Sequence, residues 1–362
     1  MEILQVRSDL TYTRRAIESG QITIGFMGGS ITDSRPGWNW PEPVLRWFKA
    51  TYPQVRVTVE NGAIGATGSD LAVFRAKETL IDTGCDLIFV EYAVNDSGFE
   101  PERRRRTQEG LLRKLLAPPG RDVVLVYTYI QDFYNDMIAG RMPVSIAALE
   151  TLAEHYRLNS VWMSLYALQR VQQGFLRWEE WLPDGLHPQA HGSLAYGEAV
   201  IQLLEPMLAG KVQAPERGAL PEPLNAAHWS NSVILPLSEV RTEGPWLLRR
   251  WYNESNPFMP YVLDTAAVGA RFSLDFEGRG LVLGFDYGSQ SGELRYRLDD
   301  GEWRETKRER FAWAGPTGWY KLEIVADDLH YGKHHFEAEV IHGNLPECKG
   351  TDMRLGLVGV VR

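Results

Sequence analysis

A serine becomes a nucleophile when a base lies within reach and a carboxylate holds that base. The segment GFMGGSITDS, residues 25–34, offers such a serine: Ser30 follows two glycines at the end of an apolar run. These residue types fit a tight turn, a phosphate cradle, or a bend that exposes one hydroxyl. A Walker-type phosphate loop requires a lysine after the glycines, and the dinucleotide fingerprint requires G-x-G-x-x-G; neither is present. The G-x-S-x-G elbow of α/β-hydrolases would end on glycine where this chain has Thr32. A plain turn stays compatible with these residues alone.

Far downstream, LPDGLHPQAHG, residues 182–192, sets Asp184 three positions before His187. That spacing lets one loop present an imidazole together with the carboxylate that fixes its tautomer. Pro188 biases His187 toward extended backbone and keeps it out of the following helix. His187 and His191 also have the spacing of a metal pair on a helix. A zincin helix needs H-E-x-x-H, however, and Pro188 stands where that glutamate belongs, so no metal is expected. An acyl-transfer site further needs donors for a developing oxyanion. NGAIGATGSD, residues 61–70, supplies small residues whose backbone N–H groups can approach a substrate, and EYAVNDSG, residues 91–98, supplies the Asn95 amide.

These segments need a scaffold that brings them together. Apolar, β-rich runs at 22–27, 55–60, 86–92 and 123–127 alternate with helical patterns at 42–50, 71–80 and 104–116. Further helical stretches follow at 145–156, 160–173 and 192–208. Near-continuous apolar strands separated by helices predict a parallel sheet covered on both faces. Ser30, the 61–70 segment and Asn95 all follow strands, at the carboxyl edge where open α/β sheets bind ligands. Beyond residue 208 the chain turns rich in Pro, Ala and Gly, a linker or wrapping segment. Short alternating stretches at 270–276, 281–285, 293–298, 320–326, 335–341 and 355–361 then predict an all-β sandwich, jelly-roll-like. The expected organisation is a catalytic domain over 1–210, a linker over 211–230 and a β-sandwich over 231–362.

The ordered set GGSIT, NGAIGATG, VND and DGLH resembles the SGNH (GDSL-like) hydrolase superfamily of esterases and lipases, over residues 1–210. The resemblance implies a flavodoxin-like three-layer α/β/α fold. It implies Ser30 as nucleophile, His187 as base and Asp184 as the group that orients it. It also implies an oxyanion hole made by the Ser30 backbone N–H, the Asn95 side chain and a backbone N–H of Gly65 or Ala66. In the second block the family's oxyanion glycine falls on Ala66, with Gly65 just before it. GGSIT in place of G-D-S is a variation found in the carbohydrate-esterase branch.

Trp38 and Trp40 follow the nucleophile segment, and Trp178 and Trp181 precede Asp184. Flat aromatic faces at such places suit stacking on sugar rings, so these four are the expected substrate-binding residues. The remaining composition narrows the partners. With 44% hydrophobic and 23% charged residues, the 362-residue chain is ordinary globular protein. Its net charge of −9 disfavours nucleic acid. The basic run 103–106 reads as a solvated helix face. No apolar stretch approaches the roughly 20 residues of a membrane span, and the N-terminus shows no signal peptide, so a cytoplasmic protein is expected. Cys85 and Cys348 make no metal or redox spacing.

The resulting expectation is a serine esterase that removes short acyl groups, above all acetyl, from small-molecule or oligosaccharide esters without metal or cofactor. A lipid or thioester esterase, or a carbohydrate-binding protein with a vestigial hydrolase domain, are the competing readings. Whether the chain forms a homo-oligomer is open.

Overall fold

Two strands of the first half are buried at every position, β4 (Leu87–Glu91) and β5 (Asp122–Val126), as expected of strands covered by helices on both faces. The computed structural model describes residues 2–33, 39–251, 258–311, 313–316 and 318–362, Tyr287 by its backbone alone. The chain divides into two units, Met1–Ser230 and Asn231–Arg362.

In the first unit β4 and β5 lie inside a six-stranded sheet with β1 (Leu4–Gln5), β2 (Gln21–Gly28), β3 (Arg56–Asn61) and β6 (Asn159–Val161). The spatial order is β1-β6-β5-β4-β2-β3. All neighbours run parallel except β1, which closes the edge antiparallel to β6. Without that edge strand the order is the flavodoxin-like one, and its direction of winding reverses between β2 and β4. Helices α1 (Thr11–Glu18), α2 (Pro41–Thr51), α3 (Ser69–Ala76), α4 (Pro101–Leu116), α6 (Val144–Tyr156), α7 (Met163–Gln172) and α9 (Ala190–Leu208) belong to this unit, with the short α5 (Tyr134–Ile138) and α8 (Trp178–Trp181) between them.

Two expectations need correction here. The helix read over 160–173 begins only at Met163, because 159–161 form β6, too short to show a strand period. The basic run is not a solvated face. Arg104 is buried, while Arg103 pairs with Asp70 and lies 4.2 Å over the Phe99 ring, leaving Arg105 as the exposed member.

Residues 211–230 pack on the first unit. The Glu109 carboxylate accepts from the backbone N–H groups of Leu224 (2.6 Å) and Asn225 (2.7 Å), and the Trp229 N–H donates to Arg106 O (3.1 Å). Trp229 is fully buried, and its backbone sits where a side chain on Gly110 would have to go.

The second unit is two antiparallel sheets. Its strands are β7 (Val233–Ile234), β8 (Arg241–Glu243), β9 (Leu247–Arg250), β10 (Tyr261–Thr265), β11 (Arg271–Gly278), β12 (Gly280–Tyr287), β13 (Glu293–Leu298), β14 (Arg304–Glu305), β15 (Trp319–Ala326), β16 (Gly332–Ile341) and β17 (Met353–Val361). One sheet has the order β15-β12-β17-β10-β9, with β7 on β17; the other has β14-β13-β16-β11-β8. The long strands β11, β12, β16 and β17 correspond to the alternating stretches in the sequence. One apolar cluster takes Phe272, Leu274 and Phe336 from one sheet and Leu283, Phe285 and Leu355 from the other.

Candidate active site

Between β2 and β4, where the sheet reverses its winding, the chain makes a turn that two glycines permit. A side chain on Gly28 would meet Thr32 Oγ1 at 2.8 Å and Glu91 O at 3.0 Å. One on Gly29 would lie 2.2 Å from Asn95 Oδ1. The first glycine therefore admits Thr32 beneath the turn, and the second admits the Asn95 amide beside it. The N–H groups of Thr32 and Asp33 both donate to Gly29 O at 3.0 Å, which winds the chain through Ser30. Buried Asn39 clamps the outer side, its Nδ2 donating to Ser30 O (3.1 Å) and Asp33 O (2.7 Å). Asn61 Nδ2 donates to Thr32 O at 2.9 Å. The GGS segment is thus a tight turn whose close packing holds Ser30 out toward the second loop.

That hydroxyl meets the second loop. Ser30 Oγ lies 2.8 Å from His187 Nε2, and His187 Nδ1 lies 2.8 Å from Asp184 Oδ2. The other oxygen, Asp184 Oδ1, accepts from the backbone N–H groups of Leu186 (2.9 Å) and His187 (2.7 Å). Gly185, at φ +77°, takes a left-handed conformation between them, which glycine adopts without strain. Partial burial raises the Asp184 pKa, but the hydrogen bonds from the His187 side chain and backbone and from Leu186 outweigh it and hold the group below 3.8. An ionised Asp184 accepts Nδ1–H, which leaves the Nε2 lone pair to accept the Ser30 proton. Both ring nitrogens of His187 are engaged in this chain of bonds. Among the described residues, no three His, Cys, Asp or Glu side chains are grouped to hold a metal.

The structure also brings the second and third blocks to Ser30. A side chain on Gly65 would lie 3.4 Å from Ser30 Cβ, so the second block borders Ser30. Ala66 follows at φ +53°, a left-handed conformation that is unusual for a residue with a Cβ and is found where a site imposes its geometry. Asn95 stands against Gly29 on the other side.

The aromatic expectations fare differently. Trp40 and Trp181 are fully buried and offer no face to a ligand, which corrects the reading of them as substrate contacts. Trp40 donates Nε1–H to Thr32 Oγ1 (2.9 Å) and packs edge-on against Phe26 and Phe89. Trp181 backs the Asp184 loop, packed on Tyr129 and against the backbone of Gly192. Trp178 is half-buried, edge-on to Tyr129 and Tyr134. Trp38 lies outside the described residues.

Sequence reasoning missed two buried carboxyls under this site, Glu91 and Asp96. Glu91 accepts from Thr128 Oγ1 (2.7 Å), Thr32 Oγ1 (3.1 Å) and the Gly29 N–H (3.4 Å). Burial pushes its pKa up to about 7 against the lowering effect of those bonds. Asp96 accepts from the Ser69 N–H and from Gln108 Nε2, both at 2.9 Å, tying the second block to the third and to α4; burial raises it as well, to about 7. The signal for Glu91 was a lone acid inside the apolar run LIFVEYAV.

Among solved structures, the chain is similar to a two-domain esterase active on acetylated mannans, co-crystallised with mannopentaose. That likeness has 22% identity and a TM-score of 0.82, over 99% of this chain and 96% of that one. Another structure of a two-domain esterase active on acetylated mannans matches at 22% identity and a TM-score of 0.80, over 98% of this chain and 96% of that one. The likeness shows the two-unit fold. No family profile matches the chain, nor does any curated protein sequence.

Proposed function

We propose that the protein is a serine esterase that removes acetyl and other short acyl groups from carbohydrates. The observation that carries this reading is the continuous relay from Ser30 Oγ through His187 to Asp184, with both links at 2.8 Å. In the proposed cycle Ser30 Oγ attacks the ester carbonyl carbon while its proton passes to His187 Nε2, and Asp184 stabilises the imidazolium. The oxyanion is received by the Ser30 N–H, the Asn95 amide and a backbone N–H of Gly65 or Ala66, in the segment that borders Ser30. His187 then returns the proton to the departing sugar oxygen, leaving an acyl-serine. Water, deprotonated by the same imidazole, attacks that ester and releases the carboxylic acid, restoring Ser30. The carbohydrate half of the reading is supported by the fold shared with an esterase active on acetylated mannans. Among the described residues of the expected set, half-buried Trp178 is the one with surface left to offer.

Acetyl release from acetylated mannan and acetylated oligosaccharides is the direct test, set beside p-nitrophenyl esters of rising chain length. The expected result is a steep fall from acetyl to butyryl, faster turnover of the sugar esters, and loss of nearly all activity in Ser30→Ala. A preference for octanoyl or longer esters would replace the carbohydrate reading with a lipid one. Wild-type hydrolysis by Ser30→Ala would remove the relay from the mechanism.

A further inference from the structure

Beneath the nucleophile turn lies a carboxyl group that the proposed cycle does not use. Glu91 ends β4, is fully buried, and among the described residues has no cation beside it in an ion pair. Its bonds go to the two flanks of Ser30: the Gly29 N–H on one side and the Thr32 hydroxyl on the other, both to Oε2. Oε1 is held by Thr128, just beyond β5. Thr32 Oγ1 accepts the Trp40 Nε1–H and donates its own hydrogen to Glu91, so it links the two. The sites on both sides of the nucleophile therefore hang from one carboxyl oxygen, and the other oxygen anchors that carboxyl to the neighbouring strand.

We infer that Glu91 is a positioning residue, which sets the Ser30 turn through Gly29 and Thr32 so that Oγ faces His187 Nε2. The inference rests on Ser30 being the nucleophile. It goes beyond that reading in assigning the geometry of the turn to a buried acid one strand away, not to the glycines alone. Since Thr128 Oγ1 can accept as well as donate, glutamine satisfies the same three partners: its oxygen replaces Oε2 and its NH2 donates to Thr128. Leucine fills similar space and satisfies none.

The experiment compares Glu91→Leu and Glu91→Gln with wild type for p-nitrophenyl acetate hydrolysis and for the rate of covalent labelling of Ser30 by a serine-directed phosphonate. Displacing a reacting group by about 1 Å costs on the order of 10²-fold. Glu91→Leu should therefore lose about 10²-fold in kcat and in labelling rate, with KM within about twofold. Glu91→Gln should restore kcat to within about threefold of wild type. A folded Glu91→Leu with wild-type kcat would overturn the inference, as would a rise in KM alone or equal losses in both variants. If Glu91→Leu shows no cooperative melt, Thr32→Val carries the test: it severs the bond to Glu91 together with the one from Trp40, a drop in kcat of about tenfold or more is expected, and an unchanged kcat refutes the inference. Failure of the nucleophile reading is separate, since it shows as activity or labelling that survives Ser30→Ala.

Discussion

Glu91→Gln also separates two views of how the buried acid affects stability. A carboxyl raised from 4.5 to about 7 on folding holds its proton more tightly in the folded state than in the unfolded chain. Its stabilising contribution is therefore complete below about pH 4.5 and is lost as pH rises through about 7. At ~1.4 kcal/mol per pH unit, the interval is worth about 3 kcal/mol, most of it spent between pH 5 and 8. Glutamine does not titrate, so the variant should gain on wild type as pH rises. The stability of Glu91→Gln relative to wild type should rise by about 2–3 kcal/mol from pH 5 to pH 8. For a unit of this size that corresponds to roughly 5–10 °C in melting temperature. Scanning calorimetry of both full-length proteins at several pH values reads it directly, because other titrating groups cancel in the difference. A relative stability that stays flat, or that falls with rising pH, would show that Glu91 titrates no higher in the folded protein than in the unfolded chain.

Other substitutions test the site itself. Asp184→Asn removes the acceptor for His187 Nδ1–H and should cost on the order of 10⁴ in kcat with little effect on KM, by the measure of other triads. Asn95→Ala should lower kcat by roughly 10²–10³, the range for one oxyanion donor, whereas a change in KM alone would make Asn95 a binding residue. Gly29→Ala puts a methyl group 2.2 Å from Asn95 Oδ1 and should lower kcat at least as far as Asn95→Ala, measured on the same ester. Glu109→Ala leaves the part-buried Leu224 and Asn225 N–H groups without their acceptor, a loss of about 0.5–1.5 kcal/mol for each hydrogen bond. Limited proteolysis should then cut within 211–230, and an uncut segment would show that other contacts hold it.

The two halves of the candidate site were legible in the sequence because each depends on local order. Gly29 and Ser30 share a turn, and Asp184 and His187 share a loop whose three-residue spacing brings carboxylate and imidazole together. The apolar runs likewise placed β4 and β5, since strands buried on both faces are apolar throughout; β2 and the exposed edge strand β3 also fell on β-rich runs. Tertiary structure decided what lies between distant segments. A side chain's exposure depends on what packs on it, so Trp40 and Trp181, which read as ligand faces, are interior because Phe26, Phe89 and Tyr129 cover them. Strand order is equally non-local: the pairing of β2 with β4 puts Gly28 beside Glu91, 63 positions later in the chain, and lets a lone acid in an apolar run accept from Gly29 and Thr32 of the Ser30 turn. A sequence shows that a carboxyl is buried by its neighbours along the chain; which hydroxyls and N–H groups receive it is settled only when the strands are laid side by side.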